Sequence, residues 1–240
     1  MTTLLRVAGV TKHYGALKAI DNLSFNVENG EALGILGPNG AGKSTLFNLI
    51  AGDVPSAGSI HFKGRDITHL QSYERCRLGI GRSYQIPQPF GRMTVFENVL
   101  AAASFASGHG EAACYDFSIR TLERTGLLTK SNVAAEQLTL LERKRLELAR
   151  ALATKPTLLL LDEIAGGLTD GECQELLKTI NLVKHGGVSI VWIEHVVHVL
   201  IAFVDRLLVI NFGKHLAEGV PHAVMADTAV QEVYMGIEAE

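Results

Sequence analysis

The stretch GPNGAGKST, Gly37 to Thr45, constrains this chain more than any other. It fits G-x-x-x-x-G-K-[ST] with Gly37, Gly42, Lys43 and Ser44. From average residue usage, a chance match is expected in roughly one chain in a hundred of this length. Its setting narrows the meaning. EALGILG before it is a short apolar run ending in glycine, as a buried strand does. KSTLFNLIAG after it reads as a helix closed by Gly52. A glycine-rich turn between strand and helix lets the backbone N–H groups of Asn39, Gly40, Ala41 and Gly42 close around phosphates. The helix N-terminus adds favourable partial charge. Lys43 would reach the β- and γ-phosphates, the Ser44 hydroxyl would bind Mg²⁺, and Thr45 completes the cradle.

A metal-bound nucleotide needs a second anchor, and TLLLLDE supplies one. Four leucines bury the strand, so Asp162 emerges at its C-terminal end, where open α/β sheets bind ligands. Asp162 would hold Mg²⁺ through water. Glu163, next to it, would polarise the attacking water. Without the glycine loop the pair would read as two solvated acids at a strand end.

Around these motifs the chain changes character twice. LLRVAGV and LSFNV alternate apolar and polar positions as strands do. GSIHFKGRDI reads as two short strands around a Lys-Gly turn. From about Thr94 to Leu152 the pattern is helical, in VFENVLAAASFA, YDFSIRTLERTGL and TLLERKRLELARAL, with SGHGEAA as an exposed loop. The last third returns to strands and helices: DGECQELLKTINLVKHG as an amphipathic helix and VSIVWIE as a buried strand. DRLLVINFGKHLAEG reads as a hairpin turning at Phe212-Gly213-Lys214. Buried strands alternating with helices predict an α/β core with a mostly parallel sheet.

Composition excludes little but excludes it usefully. The net charge of −3 on 240 residues gives no reason to expect nucleic acid. Cys76, Cys114 and Cys173 follow no metal spacing and read as free thiols in a reducing compartment. The most apolar stretch, VVHVLIAFVDRLLVINF, is broken by His198, Asp205 and Arg206, short of the roughly 20 apolar residues of a span. No run of signal-peptide length opens the chain. A membrane role would therefore come through a partner.

Together these residues resemble the ATP-binding subunits of ABC transporters, over essentially the whole chain. The resemblance implies a single domain, 1–240. It would be an α/β P-loop NTPase core with an N-terminal antiparallel β region and an α-helical subdomain inserted at about 88–153. It implies ATP and Mg²⁺ as cofactors. Tyr14, in TKHYGALKAI, looks like the aromatic residue that stacks on adenine; alone it reads equally as a strand-end tyrosine. Gln85, in GRSYQIPQPF, looks like the glutamine that senses the γ-phosphate and the metal; alone it is a surface residue. His195, in VSIVWIEHVVHVL, looks like the switch histidine that helps hold the attacking water. Its neighbour His198 matches no motif. FGRMTVFENVLAAA, RKRLELARALATKP and the C-terminal NFGKHLAEGVPHAVMADTAVQEVYMG are most similar to the ATPases of branched-chain or hydrophobic amino-acid importers.

Those importers are bacterial or archaeal. They imply membrane-spanning permease subunits, a second and often different ATPase subunit, and indirectly a solute-binding protein. They place the chain peripherally, on the cytoplasmic face of the plasma membrane. The rivals are a soluble ABC ATPase of repair or translation, a regulatory ATP-binding module, and an exporter subunit. The single compact chain and the presence of Glu163 and His195 weigh against the first two.

The sequence also departs from the family pattern. Where the signature usually reads L-S-G-G-Q, this chain has Leu138, Thr139, Leu140, Leu141 and Glu142. Ile164 replaces the usual proline. AGGLTD replaces the usual dimer-contacting loop, with Thr169 at its aspartate position. In the family the signature residue, here Thr139, touches ATP held by the other subunit. Leucine at the first helical positions adds bulk there. Glu142 would repel phosphate unless engaged elsewhere. Thr139 and Glu142 also spell T-x-x-E, a capping box that would direct the acid backwards. Pairs Arg143–Glu147 and Glu147–Arg150 are expected along the same helix. A chain that binds ATP well but serves its partner's site poorly would work best beside a different ATPase subunit.

Overall fold

A computed structural model describes residues 2–235. In chain order the strands are β1 (Thr3–Tyr14), β2 (Leu17–Glu28), β3 (Ala32–Leu36), β4 (Ala57–Phe62), β5 (Arg65–Asp66), β6 (Ile80–Arg82), β7 (Leu158–Asp162), β8 (Ser189–Ile193), β9 (Arg206–Asn211) and β10 (Lys214–Gly219). The α-helices are α1 (Lys43–Ala51), α2 (Ser72–Leu78), α3 (Val95–Ser107), α4 (Glu111–Arg124), α5 (Leu140–Ala153), α6 (Asp170–His185), α7 (Val197–Phe203), α8 (Pro221–Met225) and α9 (Thr228–Met235). They fall into two compact units. One takes the residues up to Arg75 and those from Ser189 onward; the other is Cys76–Val188.

The first unit carries an antiparallel sheet in the order β2-β1-β4-β5. Leu5 and Val7, Leu23, Phe25 and Val27, and Ile60 and Phe62 are buried as strand alternation predicts, and register shifts between β1 and β2 bring Val10 and Ile20 inward as well. The β4–β5 turn is Lys63-Gly64, both with positive φ, the requirement of a two-residue type I′ hairpin. The β9–β10 hairpin meets the same requirement with Phe212 and Gly213. In the same unit β3 lies parallel between β8 and β9. All five residues of β3 and of β8 are buried, which explains their apolar sequences, Ser189 at the start of β8 excepted.

The second unit pairs β6 with β7 in parallel, Arg82 standing opposite Leu160. Helices α3, α4 and α5 pack around one apolar cluster that includes Val95, Val99, Leu122, Leu146 and Ala149. Three helices of this unit start with the same device. Thr94, Thr139 and Thr169 each accept from the N–H three residues on, and Glu97, Glu142 and Glu172 each return to the capping residue's N–H.

Some elements differ from expectation. α4 begins at Glu111, so only the first part of SGHGEAA is loop. α2 and β6 carry no clear periodic signal. α2 is instead anchored by a charge: Arg75, 2% exposed, donates to the carbonyls of Leu49 (2.7 Å), Ile50 (2.9 Å), Thr68 (2.9 Å) and Leu70 (3.0 Å). Two of these are last-turn carbonyls of α1, which otherwise lack helical partners. Among the described residues no helix is long and apolar enough to cross a membrane. All three cysteines are free thiols.

Candidate functional site

The glycine loop sits between β3 and α1, both in the first unit. Two of its glycines are there for close approach. A Cβ on Gly37 would lie 2.3 Å from the Ile210 carbonyl oxygen, and one on Gly42 would lie 2.4 Å from that of Ala19. Gly42 also has φ 103°, which side chains avoid. It is the N-cap of α1 and makes no side-chain cap. That leaves the helix start to the backbone, the arrangement that suits an anion. The buried Lys43 ammonium donates to the carbonyls of Gly37 (2.7 Å) and Pro38 (3.0 Å), so it already bridges the loop it would share with phosphate. Asn39, Gly40 and Ser44 are exposed, Thr45 is half-buried and Ala41 is buried.

The same unit holds Tyr14 at the end of β1. Its ring is about half exposed, and the Lys12 ammonium lies 5.2 Å from the ring centre. A rim ring of this kind has a face available for stacking. His195 lies two residues after β8 and is exposed; its N–H donates to the buried Glu194 carboxylate at 3.1 Å. His198 is exposed on α7.

In the second unit the strand end delivers two buried acids, Asp162 and Glu163. Arg82 Nη2 meets Asp162 Oδ2 at 3.1 Å. The β6–β7 register explains the meeting: Asp162 is two residues beyond Leu160, hence on the face that Arg82 shares. Gln85 Nε2 donates to the Glu163 carboxylate. Lys144 Nζ donates to the Glu163 carbonyl at 3.2 Å. Glu163 itself has φ 46°, a left-handed conformation uncommon for a side-chain-bearing residue and frequent at functional sites.

Thr139 is exposed at the start of α5. The T-x-x-E reading holds in detail. Glu142 N–H donates to Thr139 Oγ1 at 3.3 Å, and Thr139 N–H donates to Glu142 Oε2 at 2.9 Å. Lys130 Nζ adds a contact to Glu142 Oε1 at 3.3 Å. The Thr139 N–H, with Lys130 behind it, holds the Glu142 carboxyl below the usual carboxylate range despite some burial. The acid is therefore turned back onto its own helix. Leu140 is exposed, against Gly167. Glu147 pairs with Arg150 at 3.0 Å. Arg143 turns instead to the carbonyls of Leu138 (2.9 Å) and Glu136 (3.0 Å).

The pattern of the ABC transporter family matches residues 20–166. The chain belongs to the ABC transporter family. It is 34% identical to the high-affinity branched-chain amino acid transport ATP-binding protein LivG of Salmonella typhimurium, over 97% of this chain and 98% of that one. It is 32% identical to a probable branched-chain amino acid transport ATP-binding protein of Archaeoglobus fulgidus, over 98% and 96%. Among solved structures, the ADP conformation of an ATP-binding cassette of an ABC transporter superposes with a TM-score of 0.89 at 30% identity, covering 98% of this chain and all of that one. This ABC protein is accordingly a nucleotide-binding ATPase with the α/β cassette fold.

Three side chains around the family motifs carry no motif of their own: Arg82, Lys144 and Glu147. A periodicity scan could have flagged the last two. They are charges at positions of α5 that the helix buries.

Proposed function

We propose that this ABC ATPase binds ATP with Mg²⁺ and powers an importer of branched-chain or other hydrophobic amino acids or related small solutes. The first unit's loop takes the phosphates through Lys43 and the backbone from Asn39 to Thr45, and Tyr14 stacks on the adenine. Ser44, Asp162 and Gln85 are the oxygen donors that suit Mg²⁺, a hard cation bound through hydroxyl, carboxylate, amide oxygen and water. The metal, when bound, neutralises charge on the phosphates. Glu163 orients and polarises water as general base, Gln85 steers its carboxylate, and His195 holds the γ-phosphate side. The observation that carries this reading is the Gln85 amide on the Glu163 carboxylate. It joins a glutamine and an acid 78 residues apart, in a chain that also has an intact phosphate loop. The ATPase works with permease subunits. We place it peripherally at the cytoplasmic face of a bacterial or archaeal membrane, beside a second ATPase subunit, with a solute-binding protein upstream.

The test is the complete complex in lipid vesicles, measured for ATP hydrolysis and for leucine uptake. Glu163→Gln is expected to cut hydrolysis by about 10²–10⁴, and to trap an ATP-bound dimer on size exclusion. Rapid turnover by that variant would remove Glu163 as base.

A second reading, a regulatory ATP-binding module with weak hydrolysis, is favoured by one feature: the self-capped start of α5 with Leu140 exposed beside it. Full cooperative hydrolysis by the lone chain would exclude it. It would equally exclude the need for a different partner subunit.

A further inference from the structure

The second unit contains a polar device that no family motif names. Lys144, Glu147 and Arg150 recur every three residues along α5, so they follow one side of the helix. Lys144 and Glu147 are 4% and 5% exposed, among Leu146, Leu148 and Ala149. A helix packed only for stability would carry apolar groups there, because burying a charge is costly unless it is paired.

Each of the three is engaged, and each engagement leads to the hydrolysis residues. The Glu147 carboxylate accepts from Arg150 at 3.0 Å, and the backbone N–H groups of Tyr84 and Gln88 favour its charged form. Arg150 Nη1 also donates to the Gln88 carbonyl at 3.0 Å, and its guanidinium lies 5.3 Å from the centre of the Phe90 ring. The segment after Gln85 is thus held through the Gln88 carbonyl while Gln85 itself stays exposed. One turn earlier, Lys144 donates to the carbonyl of the strained Glu163, which the Gly166 N–H also reaches at 3.3 Å. The Gln85 amide then meets the Glu163 carboxylate. The path closes on itself: helix, glutamine segment, base, helix.

We propose that Glu147 is a positioning residue for ATP hydrolysis. With Lys144 and Arg150 it makes α5 a splint that fixes the Gln85 segment and the Glu163 backbone at one setting. This rests on the roles assigned above to Gln85 and Glu163. Burial pushes the Glu147 carboxyl above its usual range, and the Arg150 guanidinium opposes that push. The same rigid helix starts at Thr139, so its first turn and its splint move together.

The experiment is steady-state hydrolysis by the full complex with Glu147→Ala, Gln85→Ala and the double variant, alongside backbone amide exchange. Glu147→Ala is expected to lower kcat about tenfold while the KM for ATP moves by less than about twofold. In the Gln85→Ala background the same change is expected to cost little, because residues that act as a unit are not additive. Glu147→Gln, which keeps one acceptor oxygen, is expected to restore most of kcat. The Tyr84 and Gln88 amides are expected to exchange faster while the α3–α4 core stays protected. Glu147→Leu, apolar like its neighbours, serves where the alanine variant does not fold.

Equal kcat losses in both backgrounds, or a parallel fall in ATP affinity, would overturn the proposal. A Gln85→Ala enzyme that hydrolyses ATP normally would instead overturn the role given to Gln85. The splint would then stand or fall on the amide exchange.

Discussion

Helices α1 and α5 begin in opposite ways, and the difference separates two uses of a helix N-terminus. α1 starts at Gly42, has no side-chain cap and lies behind a loop whose glycines admit close backbone contact. Its first-turn N–H groups and its dipole are left to an incoming anion. α5 starts at Thr139, and its first turn is engaged by a complete capping box with Lys130 behind it. The same dipole is there, but the helix satisfies its own start. The uncapped end leaves its own start unsatisfied; the capped end is stable by itself. In the family, both helix ends face ATP, one in its own chain and one across the dimer. In this chain, of the two, only α1 starts without a side-chain cap.

The largest expected effect breaks the uncapped end. Lys43→Ala removes the ammonium that bridges the loop, and ATP affinity, read by calorimetry, is expected to fall by roughly thirtyfold or more. The fold should persist, because the Ala41 N–H still reaches the Pro38 carbonyl and the Gly213 N–H the Ala41 carbonyl. The next prediction converts the capped end towards the family pattern. Leu140→Gly with Leu141→Gly is expected to cost about 2 kcal/mol of stability, since glycine weakens a helix, yet to raise turnover of the complex. Unchanged turnover would show that the leucines are neutral. Thr139→Ala, a smaller change, is expected to lower stability by about 1 kcal/mol, read as a fall in the thermal midpoint.

The smallest effect is in pH. The Glu142 carboxyl is held below its usual range in the folded chain, so its contribution is present above that range and lost as pH falls through the lowered value. Thermal midpoints of the native chain and Glu142→Gln are expected to differ near neutrality and to converge in acid. A constant gap would mean that the carboxylate does not contribute through its charge.

Legibility followed the same divide. The loop from Gly37 to Thr45 is nine consecutive residues, so its spacing alone placed it between a strand and a helix. The cap at Thr139 and Glu142 spans four residues and was equally readable. α2 was not, because a buried arginine rather than an apolar stripe anchors it. Arg143 was misjudged for a related reason. Its spacing to Glu147 suits a pair, but Glu147 is buried and engaged by Arg150, while carbonyls at 136 and 138 lie within reach of Arg143.

The sequence by itself therefore determined the glycine loop between strand and helix, the buried strands β3, β7 and β8, the cap at Thr139 and the acids at the strand end. Each depends on neighbours within a turn or on strict alternation. Only the tertiary structure decided that Arg82 meets Asp162, that Gln85 meets Glu163, and that Lys144 and Glu147 turn a core helix into a bracket for both segments. Those contacts join residues 19 to 80 positions apart, and their distances are set by strand register and helix packing, which no local pattern encodes.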